Sequence, residues 1–138
     1  MKILLVDDSK LQRLAIQRIL AKAGHEVSLA SDGEEGLRLV RQTLPNLVLL
    51  DMILPRMDGP AVLEALKKDP ATAHIPVIAL TGLSQRNEEK LKSAGAAAFY
   101  QKSELGVEKG TEALLAVIQR VLAAVPKAAV AGTPARIS

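Results

Sequence analysis

The chain has 138 residues, 49% of them hydrophobic and 24% charged, with a formal net charge of +3. This length is typical of one domain that can bury a core, and the absence of cysteine excludes disulfides and thiolate metal sites. No apolar run approaches the roughly 18–20 residues of a membrane span, and Asp7 and Asp8 interrupt the N-terminal apolar stretch before it could form a signal peptide. We therefore expect a cytoplasmic protein.

The mild positive charge does not predict nucleic-acid binding. Lysine and arginine residues are scattered through helical patterns, and Phe99 and Tyr100 are the only aromatic residues. A nucleic-acid site would need clustered basic residues, a recognisable module or aromatic rings on which bases stack. We expect no direct contact with nucleic acid.

Strand and helix patterns alternate along the chain. Short apolar runs predict buried strands, and apolar residues at helical spacing between capping residues predict helices. In chain order, the predicted elements are a strand at residues 3–6, a helix at 9–24, a strand at 25–30, a helix at 32–44, a strand at 47–50, a helix at 60–69, a strand at 75–80, a helix at 84–94, a strand at 95–100 and a helix at 111–125. This alternation predicts an α/β fold, a (βα)5 doubly wound parallel sheet with helices on both faces.

Apolar spacing also predicts which helix residues face the sheet. In the first two helices these are Leu11, Leu14, Ala15, Ile19, Leu20, Leu37, Val40 and Leu44. The predicted helix at 84–94 has few apolar anchors, so we expect it to be mobile. Pro126 ends the last helix, and residues 126–138 lack periodicity. We predict one domain at residues 1–125, followed by a disordered tail or linker remnant.

Polar residues follow four of the predicted strands. Asp7 and Asp8 follow the first strand, Asp51 the third, Thr81 the fourth and Lys102 comes just after the fifth. The carboxyl ends of parallel strands meet at one edge of a sheet, where ligands bind. We therefore expect these five side chains to converge on one site.

These residue types predict phosphoryl chemistry. Three adjacent carboxylates repel one another and need a cation, and oxygen ligands without histidine or cysteine favour Mg²⁺. A carboxylate beside Mg²⁺ can attack phosphorus and form an acyl phosphate. Lys102 and Thr81 would supply an ammonium and a hydroxyl to the charged phosphoryl oxygens. The chain lacks a Gly-x-Gly-x-x-Gly motif and a Gly-Lys-Ser/Thr phosphate loop, which argues against a dinucleotide enzyme and a P-loop nucleotidase.

Four segments, at residues 6–9, 51–59, 79–82 and 99–102, resemble the motifs of the response-regulator receiver domain of two-component signalling. The resemblance covers about residues 1–125 and is closest in kind to single-domain, chemotaxis-regulator-like receivers. It implies a flavodoxin-like fold in which Asp51 accepts a phosphoryl group from a sensor histidine kinase or a phosphotransfer protein.

The resemblance also implies a role for each matched position. Mg²⁺ would be held by Asp7, Asp8, Asp51 and the backbone carbonyl of Ile53. Thr81 matches the switch hydroxyl, Lys102 the phosphate-contacting lysine and Phe99 the switch aromatic residue. Phosphorylation would pull the hydroxyl inward and repack the surface of the fourth helix, fifth strand and last helix. A downstream protein would bind there, and the chain would be a monomer or a weak, phosphorylation-dependent dimer.

Three positions affect what the resemblance implies for this chain. Ser103 follows the lysine where most receivers have proline and a cis peptide bond, which leaves the local loop geometry open. Ile53 and Leu83 are apolar at positions that line the path of the hydrolytic water in the family. We therefore expect only weak autophosphatase activity and no turnover enzyme.

Two alternatives come from other functional classes. One is a phosphohydrolase with an aspartyl nucleophile, although such enzymes want an aspartate at the position of Ile53. The other is an interaction module that keeps the fold without the switch, against which the five intact site groups argue. The residues after Pro126 are too few for a helix-turn-helix, and the sequence does not separate a stand-alone regulator from a fragment.

Overall fold

The computed structural model describes residues 1–82, 92–102 and 108–124. The elements in chain order are β1 (Lys2–Val6), α1 (Lys10–Lys22), β2 (Glu26–Ala30), α2 (Gly33–Thr43), β3 (Leu47–Asp51), α3 (Gly59–Lys68), β4 (Val77–Thr81), β5 (Ala98–Gln101) and α4 (Glu108–Ala124). Most of the helix predicted at 84–94, together with Leu83, Ser103 and the tail at 126–138, lies outside the described residues. The domain boundary at 125 therefore stays a prediction.

The five strands form one parallel sheet in the order β2-β1-β3-β4-β5. The chain moves from β1 outward to β2, then returns to the other side of β1 and continues through β3. This reversal between β1 and β3 is the topological switch point at which open α/β sheets bind ligands. The sequence-based prediction of a doubly wound, flavodoxin-like sheet is confirmed.

Alternate strand residues face two apolar clusters, one on each side of the sheet. Val6, Leu50 and Ala79 face the cluster that includes residues of α2 and α3. Leu5, Leu49 and Ile78 face the cluster that includes residues of α1 and α4. Because both faces are covered, the inner strands β3 and β4 are apolar up to their last residues, Asp51 and Thr81, as the sequence indicated.

Side-chain caps precede three of the helices, each of which begins within one residue of its predicted start. Ser9, Asp32 and Asp58 each accept a hydrogen bond from the backbone N–H three residues later, at 3.3, 2.8 and 3.1 Å. Such caps satisfy donors that have no partner inside the helix. Within the described ranges, no helix combines the length and apolar character that crossing a membrane requires.

The apolar faces of α1 and α2 differ from the prediction at three leucines and at Ala15, which is exposed. In α1, Ile16 and Leu20 are buried, whereas Leu11 and Leu14 are 82% and 42% exposed. Apolar residues surround much of α1, so spacing alone did not determine which stripe packs on the sheet. Leu44 is 52% exposed because it follows the last turn of α2 in the left-handed conformation, with φ 45°.

Candidate functional site

Three carboxylates meet where β1 and β3 end. Asp7 and Asp8 follow β1, and Asp51 is the last residue of β3. One oxygen from each carboxylate lies within 4.8 Å of the other two. Asp7 is completely buried and Asp51 is 4% exposed, whereas Asp8 is exposed. Two carboxylates of the cluster are therefore buried, and the third faces solvent.

Backbone donors orient the two buried carboxylates. The Ser9 N–H donates to Asp7 Oδ1 at 2.9 Å, and the Ile53 N–H donates to Asp51 Oδ1 at 3.1 Å. In each case the donor comes two residues after the aspartate, as in an Asx-turn. Both strand ends thus have the same hydrogen bond to Oδ1, which leaves the Oδ2 oxygens for other partners.

Lys102 joins the cluster from the end of β5. Its Nζ donates to Asp51 Oδ2 at 2.6 Å and lies 3.5 Å from Asp7 Oδ2. Burial lowers the pKa of Lys102, but the hydrogen bond and charge of Asp51, with the charge of Asp7, outweigh burial and raise it above the usual value of 10.5. The ammonium is therefore firmly charged at neutral pH.

The single positive charge of Lys102 does not neutralise the three carboxylates of this site. Burial raises the pKa of Asp7, while the Ser9 N–H and the Lys102 charge act in the opposite direction. Asp7 Oδ2 accepts no hydrogen bond from the described residues, although it is buried. A buried carboxylate oxygen that accepts no hydrogen bond and shares one lysine with Asp51 fits a hard divalent cation such as Mg²⁺.

Glycine contacts hold the chain close to Asp51. A Cβ on Gly59 would overlap the Asp51 carbonyl oxygen and the Met52 Cα, and the Gly59 N–H donates to the Met52 carbonyl at 3.2 Å. The loop that leaves β3 therefore turns back against the strand end, which requires a residue without a side chain. Ile53, inside this loop, is 67% exposed.

The remaining predicted residues lie on β4 and β5. Thr81 ends β4 and is buried, at 3% exposure. After it, a Cβ on Gly82 would have no heavy atom of the described residues within 4 Å. Phe99 is half-buried against the cluster on the α2 and α3 side, with Lys92 Nζ 5.9 Å from its ring centroid.

Sequence reasoning missed one contact that shapes the site. The Arg13 guanidinium donates to the Asp7 backbone carbonyl at 2.7 Å. It thereby ties the first turns of α1 to the end of β1, next to the buried carboxylate. An arginine six residues after an aspartate is not a recognised motif, so only the fold reveals this contact.

Comparison with known proteins identifies the family of this site. The response regulator receiver domain model matches residues 3–114. A gliding motility regulatory protein of Myxococcus xanthus is 39% identical over 115 residues, which are 83% of this chain and 15% of that protein. Protein PilH of Pseudomonas aeruginosa is 37% identical over 123 residues, 88% of this chain and 98% of its own length. The chain thus spans less than a fifth of some relatives and nearly all of another.

A solved structure extends the likeness to the fold. The receiver domain of the sensor histidine kinase PA1611 from Pseudomonas aeruginosa superposes with a TM-score of 0.78 at 26% identity, covering 89% of this chain and 98% of that one. That receiver was crystallised with a magnesium ion coordinated in its active-site cleft.

Proposed function

Because the chain belongs to the response regulator receiver domain family of two-component signalling, we propose that it accepts a phosphoryl group on Asp51 and passes the signal to another protein. The observation that carries this proposal is the meeting of four charged groups at one sheet edge. Asp7, Asp8 and Asp51 place carboxylate oxygens within 4.8 Å of one another, and Lys102 Nζ is 2.6 Å from Asp51.

Asp51 is the nucleophile in this proposal. One of its carboxylate oxygens attacks phosphorus while the bond from phosphorus to the donor nitrogen of a phosphohistidine breaks. The nitrogen keeps that electron pair, and the product is an acyl phosphate on Asp51. The Ile53 N–H, at 3.1 Å from Oδ1, keeps the carboxylate oriented as the bond forms.

Lys102 stabilises the transferred group. Its ammonium contacts Asp51 Oδ2 before the reaction and is close enough to follow the charge onto the phosphoryl oxygens. A compact ammonium that is charged at neutral pH suits that task, because the equatorial oxygens carry the developing charge. Asp7, 3.5 Å away, keeps the ammonium at the site when Asp51 is modified.

A divalent cation belongs to the same proposal. Asp7, Asp8, Asp51 and the Ile53 carbonyl would hold Mg²⁺, which supplies charge neutralisation to carboxylates and phosphoryl oxygens together. Asp7 Oδ2 supports this ligand set, because it is buried, accepts no hydrogen bond from the described residues and has the Lys102 ammonium no closer than 3.5 Å. The exposure of Asp8 leaves one side of the set open to solvent and to a donor.

The switch would run through Thr81 and Phe99. A phosphoryl group on Asp51 offers a charged acceptor to the Thr81 hydroxyl, and movement of that hydroxyl opens room for the half-buried Phe99 ring. The surface that includes β5 and α4 would then change shape and alter binding of a downstream protein. A sensor histidine kinase or phosphotransfer protein is the proposed donor, and the cytoplasm is the proposed location.

Release of the phosphoryl group by the chain itself should be slow. The side chain of Ile53 is 67% exposed and apolar, two residues after Asp51. It offers no hydrogen bond that could orient a water molecule towards phosphorus. The chain is therefore a phosphoacceptor with weak autophosphatase activity and not a turnover enzyme, and an Ile53→Asn variant should lose its phosphoryl group faster.

Intact mass after incubation with a small phosphodonor and Mg²⁺ tests the proposal. We expect one phosphoryl adduct on the wild type, no adduct on Asp51→Asn and no adduct in the presence of a chelator. No adduct on the wild type would contradict the proposal and favour an interaction module without a switch. Following the decay of the adduct after donor removal measures the autophosphatase activity in the same samples.

A further inference from the structure

The loop between β3 and α3 contains a strained three-residue turn. The Met57 N–H donates to the Pro55 carbonyl at 2.7 Å, and Arg56 between them has a φ of 68°. A hydrogen bond to the residue two positions earlier, around a positive φ, is the pattern of the classic γ-turn, which is rare and strained. Since Arg56 has a side chain, the surrounding structure must hold it in this conformation.

The N-terminus of α2 contacts this turn. A Cβ on Gly33 would overlap the Met57 carbonyl oxygen, so only a residue without a side chain fits between the helix and the turn. The Arg56 guanidinium also lies 3.6 Å from Asp32 Oδ2 and 3.8 Å from Glu34 Oε1. The backbone contact is the stronger restraint, because ion pairs as exposed as these contribute little.

The other end of the loop is anchored at the acidic site. Gly59 packs on the backbone of Asp51 and Met52, and the side chains of Met52 and Leu54 are buried. Ile53 lies between these buried neighbours with its own side chain exposed. The Ile53 backbone is therefore held between two fixed points, the end of β3 and the turn at Arg56.

We infer that the N-terminus of α2 braces the Arg56 turn and thereby sets the position of the Ile53 carbonyl towards a divalent cation. Gly33 and Arg56 are positioning residues, because they act on the carbonyl only through the loop. The inference rests on the proposed function for the assignment of that carbonyl as a ligand. A neutral carbonyl attracts a cation less strongly than a carboxylate does. Its contribution to the affinity for the cation therefore depends on its being correctly placed before the cation binds.

Two substitutions at one exposed position test the brace. Arg56→Gly and Arg56→Val both remove the ion pairs, but glycine accepts a positive φ whereas a β-branched residue resists it. Calorimetric titration of the full chain with Mg²⁺, without phosphodonor, measures the affinity. We expect Arg56→Gly to bind as the wild type does and Arg56→Val to bind about tenfold more weakly, as for other changes in the outer shell of a metal site. Equal affinities in the two variants would overturn the inference.

A second pair of variants tests the contact from α2. Gly33→Ala should push the turn away and weaken Mg²⁺ binding by a similar factor. Gly36→Ala, in the same helix, directs its Cβ at Val6 methyl groups 2.9 and 3.0 Å away, so it should lower stability and preserve Mg²⁺ affinity. Equal losses of affinity in both variants would attribute the effect to general destabilisation and overturn the brace. If Gly33→Ala does not fold, the Arg56 pair decides.

The titrations separate failure of the inference from failure of the proposed function. Weak Mg²⁺ binding by Arg56→Val, with no phosphoryl adduct on the wild type, would support the brace and remove the phosphoacceptor role. Equal binding by the variants, with a normal adduct, would do the reverse. A wild type that binds no Mg²⁺ would overturn both the proposed metal set and the brace.

Discussion

Two half-buried lysines show how differently two regions of this molecule use the same side chain. At the sheet edge, Lys102 Nζ faces Asp51 at 2.6 Å and Asp7 at 3.5 Å. In the last turn of α3, Lys67 Nζ donates to the backbone carbonyls of Ala73 and Ile75 at 3.0 and 2.8 Å. The first lysine neutralises charge, and the second joins a helix to the segment that leads into β4.

The two environments shift the pKa of these lysines in opposite directions. Burial lowers the pKa of Lys67 below 10.5. Burial acts on Lys102 as well, but the two carboxylates outweigh it and raise its pKa. Burial alone therefore does not mark a functional lysine. The partners do, because carboxylates that outnumber their ammonium leave charge for a further cation.

The largest expected effect is the loss of unfolding free energy when either lysine is replaced. Lys102→Met leaves Asp7 and Asp51 buried without their cation, which costs about 3 kcal/mol, the lower end of the usual range for a broken buried pair. Lys67→Met leaves two carbonyls without their donor and costs about 1–3 kcal/mol. Urea denaturation in the presence of a chelator measures both losses of unfolding free energy.

Mg²⁺ should distinguish these two variants. In Lys102→Met the cation replaces a missing charge, so the gain in stability on adding Mg²⁺ should exceed that of the wild type. Lys67→Met is the matched control, and its gain should equal that of the wild type. Equal gains in the two variants would contradict the view that Lys102 and the metal neutralise the same carboxylates.

The next largest effect is expected from substitutions of the carboxylates in the cluster around Lys102. Asp7 is buried and Asp8 is exposed, so in a chelator Asp7→Asn should stabilise the fold by about 0.5–2 kcal/mol. Asp8→Asn should change stability by less than about 0.5 kcal/mol. Both variants should bind Mg²⁺ more weakly, because each loses a proposed ligand. Destabilisation by Asp7→Asn without metal would contradict this account of the buried charge.

The stability difference between Asp7→Asn and the wild type should also depend on pH in the acidic range. Burial, the largest cause, raises the pKa of Asp7 above 3.8 in the folded protein, so the folded state binds the proton at higher pH than the unfolded chain. The contribution of Asp7 to stability therefore increases as pH falls through its folded-state pKa. The advantage of Asp7→Asn over the wild type should shrink over the same range.

The sequence predicted much more about the site around Asp51 and Lys102 than about the contacts that Lys67 makes with backbone carbonyls. Asp51 and Lys102 were expected to meet because both follow buried strands of a parallel sheet, and they lie 2.6 Å apart. No pattern pointed to Lys67, since its partners are carbonyls in an irregular segment. Arg56 was equally hidden, because a positive φ at a residue with a side chain has no sequence signal. The roles assigned to the site residues remain predictions.

The smallest expected effect is the alkaline pH dependence of the two lysines. Lys102, with its raised pKa, contributes stability that is complete below 10.5 and is lost as pH rises through its folded-state value. Lys67, with its lowered pKa, loses its proton first in the folded state, so stability should rise as pH passes from that folded-state value towards 10.5. Each proton contributes at most about 1.4 kcal/mol per unit of pKa shift.

Urea denaturation of the wild type and the two methionine variants, from neutral pH to above 10.5, measures these slopes. Subtracting each variant from the wild type removes the titration of the groups that all three proteins share. The Lys67 difference should grow between neutral pH and 10.5, whereas the Lys102 difference should stay constant there and fall only beyond it. A Lys102 difference that grew between neutral pH and 10.5, as the Lys67 difference should, would mean that the carboxylates do not outweigh burial at Lys102, and the contrast between the two regions would then be lost.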